Sequence, residues 1–397
     1  MRVTQSLDQS QFLAALATLE SNQSQTQNQI ATNLSFTTPS ENPIAAGAVN
    51  GFNQALAQSK QYDTNANSAQ TALGTEDSVL SQVQTALQSL RSLALQANSG
   101  TLSSQNRAGI ATQATQIQAS LVSLANTQDG NGQYIFGGYT TQTPPFASSP
   151  TGATYSGDQG QRQAQIAAGQ SVAVGDNGDT VFNQIKTGNG TFTAAAGTAN
   201  TGTGLLGATT VANPAAYDGG TYAINFTAAN AYEVRDSGNV LVTSGSYTDG
   251  QSIAFRGVQV TLTGQPVTGD TFTVAASTNQ SIFTSVQNLV TALQANANTP
   301  ASKAQLGNLI GAAIDNLDQM LNQTSVVRTS VGGRLNAITT QLSVSGSQQI
   351  QLQTSISALQ SLDYASAITR LNQQNTTLSA SMQAYNLTKG LTLFKFI

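Results

Sequence analysis

The sequence predicts an α+β protein: a long α-helical rod or coiled-coil bundle formed by both chain termini, with an all-β outer domain inserted between them. Three observations lead there. Apolar residues recur in steps of four and three at both ends of the 397-residue chain, the beat of helices packed at shallow angles. The middle of the chain is dense in glycine and short β-branched stretches separated by turn residues, the pattern of antiparallel hairpins. Charged side chains make up only 8% of the residues, against about 25% in an ordinary soluble domain.

The helical ends read as follows. Phe12, Leu16, Leu19, Thr26 and Ile30 share one seam, with Gln23 in the remaining slot; Leu80, Val83, Leu87, Leu90, Ala94 and Ala97 make a cleaner one. Asn98-Ser99-Gly100-Thr101 stops the second helix, and Ile110, Ala114, Ile117, Leu121 and Leu124 restart the pattern as the return arm of an antiparallel hairpin. Helical rhythm resumes with Ile282, Val286, Leu289 and Leu293, then beyond Pro300 with Leu306, Ile310, Ala313, Leu317 and Met320. From Arg328 to about Leu387 there is no proline, and Leu335, Ile338, Leu342, Leu352, Ile356 and Leu359 keep a seven-residue beat softened by Ser345 and Gln349. The phase shifts near Leu362, after which Leu371, Leu378, Met382 and Tyr385 continue it.

Strands are expected at Tyr222–Thr227, Val240–Thr243, Val258–Thr263 and Thr271–Val274, with Asp218-Gly-Gly, Asp236-Ser-Gly-Asn and Asp249-Gly as turns. The Gly/Thr/Ala-rich stretch 187–212 reads as a long loop. Five segments follow: 1–40, an N-terminal helix disordered in the monomer and ordered in an inner rod; 41–128, the N-terminal half of the helical rod domain; 129–278, the inserted β domain; 279–358, the C-terminal half of the rod domain; and 359–397, a C-terminal helix of the inner rod, also disordered in the monomer. Sequence-distant helices must close on one another, because neither polar half carries enough apolar surface for a core of its own.

Composition excludes most chemistry. Histidine, cysteine and tryptophan are absent, so there is no disulfide, no thiol nucleophile, no Cys/His zinc site and no imidazole base. The net charge of −4 offers no basic stripe for nucleic acid, and no apolar run approaches a membrane span. Gly202-Thr-Gly-Leu-Leu-Gly207 has the spacing of a dinucleotide loop but no helix after it. Asp129-Gly-Asn-Gly and Asp176-Asn-Gly-Asp lack the full ligand set of a calcium loop and read as turns. Glu76-Asp77 reads as the acidic first turn of a helix capped by Thr75, and Asp315 and Asp318 as flanking an apolar seam. The expectation is no enzyme, with no catalytic residue, no cofactor and no metal.

The faces away from the seams carry Gln, Asn, Ser, Thr and Ala in place of Lys and Glu; between Ser343 and Thr369 the only ionisable acid or base is Asp363, beside Tyr364. Desolvating a charge in a subunit contact costs several kcal/mol unless it is paired, and a neutral amide costs less. A rod surrounded by copies of itself or its relatives would have this surface, so the physical reading is a polymer-forming subunit.

Several segments support a resemblance along nearly the whole chain. Thr38-Pro-Ser-Glu-Asn-Pro-Ile-Ala-Ala46 stands where one family has an N-P-S-D-D-P-like turn, and Leu124–Tyr139 running on to Pro144-Pro145-Phe146 stands where it leaves the helices for the β domain. Tyr155-Ser-Gly-Asp158 with Gly160 and Arg162, Val331–Ala337, Leu362–Asn372 and the ending Leu391-Thr-Leu-Phe-Lys-Phe-Ile397 continue the likeness. The chain resembles the flagellar hook–filament junction proteins, the hook-associated protein 3 family related to flagellin. It departs from them in having Glu41-Asn42 for two aspartates and a neutral approach, Ala31 to Thr37.

The resemblance implies a structural adaptor at the bacterial flagellar hook–filament junction, extracellular, exported by the flagellar type III route without a cleaved signal peptide. Implied partners are the preceding hook-associated protein, flagellin, the flagellar cap protein and an export chaperone, with self-assembly into a ring and neither nucleic acid nor membrane insertion. The expected assembly interface is Leu7, Phe12, Leu16, Leu19, Ile30, Leu371, Leu378, Met382, Tyr385, Leu391 and Phe394; the family-motif turn is Pro39, Ser40, Glu41, Asn42 and Pro43. Flagellin itself and, more remotely, a secreted adhesin with a β-rich binding domain are the alternative readings.

Overall fold

The computed structural model describes residues 2–100 and 102–390, with side chains from 7 to 387 apart from 101. Its helices are α1 (Arg2–Thr32), α2 (Pro43–Ala97), α3 (Ser104–Ala125), α4 (Ile282–Gln294), α5 (Pro300–Gln360) and α6 (Tyr364–Gly390). The chain divides into two compact units, one of Met1–Thr64 with Gln341–Ile397 and the other of Asn65–Thr340. Helices α2 and α5 each contribute residues to both.

In the larger unit the sequence seams are the core. Leu80, Val83, Leu87, Leu90, Ala94 and Ala97 of α2 are buried, as are Leu306, Ile310, Ala313, Leu317 and Met320 of α5. Two ion pairs join these helices in antiparallel sense: Arg91 Nε to Asp318 Oδ1 at 2.5 Å and Arg328 Nε to Asp77 Oδ1 at 2.9 Å. Both pairs are about one-third exposed or more, so each adds well under roughly 1 kcal/mol and serves mainly to set register. Helices α3 and α4 pack together, antiparallel, because Gln118 donates to Phe283 O and Arg107 to Ala295 O. Ser103 caps α3 through Asn106 N and Ser281 caps α4 through Phe283 N.

The inserted region holds fourteen strands. β1 (Phe146–Ser149) pairs with β2 (Gly152–Tyr155), β3 (Gln163–Ala167) with β4 (Gln170–Ala173), and β5 (Ile185–Lys186) with β14 (Asn279–Gln280), all antiparallel. The rest are β6 (Phe192–Ala196), β7 (Leu205–Val211), β8 (Tyr222–Ala228), β9 (Ala231–Asp236), β10 (Leu241–Ser246), β11 (Ser252–Phe255), β12 (Val258–Thr263) and β13 (Thr271–Ala276). They form a five-stranded sheet in the order β10-β9-β8-β13-β6 and a three-stranded sheet β11-β12-β7. One core fills both: Ile224, Phe226, Val234, Ile253, Val258, Val260, Leu262, Phe272 and Val274 are buried together.

The stretch 187–212 is therefore not a long loop. It supplies β6 and β7, each hydrogen-bonded to a stronger strand: Phe192–Ala196 lies along β13, and Leu205–Val211 along β12. Small residues suffice there because the partner strand and Phe192 supply the buried bulk. A row of amides on α5 then ties this region to the helix. Gln305 donates to Thr198 O and Asn200 O, Asn308 bridges Gly204 O and Leu206 N, Asn316 accepts from Gly188 N, and Gln323 donates to Thr180 O.

Glu76-Asp77 is also placed differently from the sequence expectation. Both residues lie in the middle of α2, and Thr75 Oγ1 donates to Thr71 O within the helix instead of capping its start. The helix runs through because Thr38–Pro43 already supplies its beginning, and no proline or competing cap interrupts it.

Replacing Phe272, which is wholly buried between β8 and β6, by Ala is expected to cost about 3–5 kcal/mol. Urea unfolding followed by tyrosine fluorescence checks this; a cost below about 1 kcal/mol would contradict the shared core.

Candidate assembly site

The smaller unit brings the chain ends together. α1 and α6 pack along their length, and the pairing is antiparallel. The Phe12 and Tyr385 rings stack with centroids 4.7 Å apart and planes 7° from parallel. Gln23 Nε2 donates to Asn375 Oδ1 at 2.7 Å, and Gln374 Nε2 to Asn22 O at 3.3 Å. Stepping both helices in that register sets Leu16 level with Ser381, Leu19 with Leu378, Gln23 with Gln374, Thr26 with Leu371 and Ile30 with Ala367.

The seam is thin. Phe12, Leu16, Leu19, Ile30, Leu371, Leu378 and Tyr385 are each only half-buried; Thr26, Gln29 and Ala367 are buried. Met382 is off the seam at 46% exposed, and Ser381 takes its slot. The heptad step from Leu378 points to Ser381, and the neighbouring apolar residue misleads a reading that follows hydrophobicity alone. Leu7 is 56% exposed. Leu391 and Phe394 lie outside the described residues. The Gln23/Gln374 layer is polar, and Gln374 Oε1 is buried without a partner. Such a layer costs stability and specifies register, since other alignments would set an amide against Leu.

Below the seam both helical paths break at the same level, and the breaks are joined. α1 ends with Asn33 in the left-handed region (φ 57°) while Leu34 N reaches back to Gln29 O at 3.2 Å, a Schellman-type stop that asparagine tolerates. Leu34 then bridges Ser361, Ser35 N donates to Gln360 O at 2.7 Å, and Ser35 Oγ donates to Leu359 O at 3.1 Å. Asp363 caps α6 by accepting from Ala365 N, Ser366 N and Ser366 Oγ. The Ser366 hydroxyl and these amides hold its carboxyl below the usual carboxylate range.

The Thr38–Pro43 turn is built around Glu41. Its carboxylate accepts from Thr37 N at 2.9 Å, Thr37 Oγ1 at 3.0 Å, Thr38 Oγ1 at 3.1 Å and Gln29 Nε2 at 3.4 Å. The Thr37 amide is the largest influence lowering it to about 2, against a smaller opposing effect of burial. Ser40 shares a hydroxyl contact with Thr38. Asn42 caps α2 through Ala45 N, and Pro43 takes the first helical position, where a missing N–H costs nothing. Phe36, Ala45 and Val49 bury against Ala46 and Ile356 beneath the turn. The sequence motif marks the turn itself; its partners Gln29 of α1 and Ile356 of α5 carry no local signal, because they come from other elements.

The softened middle of the C-terminal beat is a second polar layer. Ser345 is buried and shares a hydroxyl bond of 2.9 Å with Ser59, while Gln349 Nε2 donates to Asp63 Oδ2 at 2.6 Å. The dinucleotide-like glycines are spent internally: Gly202 N donates to the buried Asp270 carboxylate, and a Cβ at Gly202 would meet Asp270 Oδ2 at 2.4 Å. Asp129 Oδ1 accepts Asn131 N and Gln133 N as an ordinary turn, and Asp176 is ion-paired with Arg334.

Terminal helices that close on each other, with a β domain inserted between them in the chain, define the class of flagellin-like flagellar subunits, and residues 5–141 match the bacterial flagellin N-terminal helical region. Residues 195–276 match the D2-like domain of flagellar hook-associated protein 1. Flagellar hook-associated protein 3 of Escherichia coli (strain K12) is 40% identical over 157 residues, 40% of this chain and 49% of that protein. The chain thus spans about half the length of that curated relative. The crystal structure of Xanthomonas campestris FlgL is 36% identical with a TM-score of 0.73, covering 77% of this chain and 99% of that one. The flagellar junction protein FlgL from Legionella pneumophila is 30% identical with a TM-score of 0.68, covering 72% and 98%. The chain belongs to the family of flagellar hook-associated protein 3.

Glu41 gives a pH test. Its folded pKa is depressed from 4.5 to about 2, so the stability it lends the turn is present above pH 4.5 and is lost as pH falls through about 2. The Thr37 amide resonance is expected to titrate with a midpoint near 2 in the native protein and to show no such step in Glu41→Gln; a midpoint near 4.5 would contradict the cap.

Proposed function

We propose that the chain is a structural adaptor of the flagellar hook–filament junction that assembles through α1 and α6. The observation that carries this reading is the state of the smaller unit. Its closing seam is only half-buried, while Leu7, Leu13, Ile44, Ile350, Met382 and Leu387 stay in water. A helix pair with so little interior gains stability when neighbouring subunits cover those side chains.

The neutral Gln, Asn, Ser and Thr faces suit that burial. Amides and hydroxyls find partners on an adjoining helix without the desolvation cost of a charge. On this reading the terminal helices form the inner rod of a ring, stacked on the preceding hook-associated protein, with flagellin and the cap protein above. The β domain faces outward, and its match to a D2-like domain of hook-associated protein 1 supports a common outer module. Passage as an unfolded chain through the flagellar export apparatus, held by a chaperone, fits a cysteine-free sequence. No helix among the described residues is long and apolar enough to cross a membrane.

Leu378→Asp places a charge on the seam opposite Leu19. The variant is expected to leave hooks without filaments and flagellin in the medium, while the purified protein keeps the β-domain unfolding midpoint of the native chain. Normal filaments with Leu378→Asp would overturn the role of the terminal seam. Long filaments grown from the purified native chain alone would favour a filament subunit instead.

A further inference from the structure

Glu76 is 1% exposed, although it is an acid in the middle of a helix. Against it lies the segment 174–178, which follows β4. Glu76 Oε1 accepts the Asp176 amide at 3.1 Å; Oε2 is sealed from water and has no hydrogen-bond partner. The charged groups facing Glu76 are Asp176 from that segment and Arg334 from α5. Arg334 is already engaged: it forms an ion pair with Asp176 and reaches Ala173 O at 3.4 Å. Gln161 Nε2 also donates to Asp176, at 2.8 Å. The site therefore holds two carboxyl groups and one cation, and the cation is taken.

A carboxylate in that position would have one hydrogen bond, no water and a like charge beside it, whereas a neutral acid leaves only an unpaired hydroxyl, a smaller cost than an unpaired charge. Burial pushes Glu76 up to about 8, with Asp176 adding to the rise and Arg334 opposing it. Contacts at Gly175 are ordinary, since a Cβ there would lie 3.7 Å from Ile135 O and 3.9 Å from Glu76 Oε2. The ends of the segment are anchored elsewhere, Val174 N on Arg162 O at 3.0 Å, Asn177 Nδ2 on Gln159 O at 3.1 Å and Gly178 N on Phe136 O at 2.8 Å, so the stretch that rests on Glu76 is Gly175-Asp176.

We propose that Glu76 is a proton-operated latch: as a neutral acid it seats Gly175-Asp176 on α2, and its ionisation unseats them. The sign follows from linkage. The seated state keeps its proton between the unfolded value of 4.5 and the folded value of about 8, so the latch is fully closed below 4.5 and weakens as pH rises through about 8, after which no further change is expected. Arg334, freed from a departing Asp176, is the group that would accompany the newly formed charge.

The test uses the full chain with carboxyl-labelled glutamate, of which there are four: Glu20, Glu41, Glu76 and Glu233. One carboxyl resonance is expected to titrate near 8 and to be missing in Glu76→Gln. In parallel, hydrogen exchange at the Asp176 amide, expressed relative to Glu76→Gln, is expected to quicken by up to about tenfold per pH unit between 4.5 and 8 and then level off. The Phe272 amide of β13 should show no such difference. If every glutamate of the native protein titrates below pH 5, or if the Asp176 amide follows the same pH profile in both proteins, the latch is refuted. Should Glu76→Gln fail to fold, the carboxyl titration of the native chain decides the matter alone.

Discussion

Everything in the smaller unit depends on α1 meeting α6, two helices that lie at opposite ends of the chain. Neither has a buried face of its own: 31 residues of α1 contribute Thr26 and Gln29 as its only buried positions among the described side chains. Isolated helices of this kind are marginal in water, and loop closure across the whole chain must be paid before the contact returns anything. The Phe12–Tyr385 stack and the Leu19/Leu378 level supply apolar contact, while Gln23 and Gln374 fix the alignment. The same arrangement leaves Leu7, Leu13, Met382 and Leu387 outside the seam.

Three of the four ion pairs among the described residues tie distant parts of the chain together. Arg91–Asp318, Arg328–Asp77 and Arg334–Asp176 all join sequence-distant elements of the larger unit. In the smaller unit Glu41 and Asp363 are spent on turns and caps, their oxygens covered by amides and hydroxyls. Elsewhere the contacts that hold helices and strands in place are made by neutral amides, as in the Gln305, Asn308, Asn316 and Gln323 row on α5. An amide can both donate and accept, so one side chain such as Asn308 satisfies two backbone groups at once. Low charge here reflects a chain whose polar work is done by amides.

Much of the fold was legible because strong periodicity survives without an alignment. The Leu80–Ala97 and Leu306–Met320 seams, the Pro300 start and the strand Val258–Thr263 stand where their patterns point. Reading failed where the determinant was tertiary. β6 and β7 are strands because β13 and β12 offer them hydrogen bonds, and no local feature of Phe192–Ala196 announces that. Glu76-Asp77 looked like a helix start because acids favour first turns, yet Asp77 pairs with Arg328 and Glu76 is buried under Asp176. Within the intrachain seam alone, apolarity led to Met382, whereas the heptad geometry leads to Ser381. The break at Ser361-Leu362-Asp363 showed only as a shift of phase, because its cap is a single aspartate with neither glycine nor proline beside it.

The register of α1 against α6 is the central claim, and the absence of native cysteine allows it to be measured directly. Cysteine pairs introduced at Leu19 with Leu378, and at Leu19 with Leu371, should behave oppositely under mild oxidation. The in-register pair is expected to cross-link within one chain. The second pair, displaced by two helical turns, should stay reduced within the chain. Cross-linking of Leu19→Cys to Leu371→Cys, or none at all at Leu378→Cys, would contradict the antiparallel seam described here.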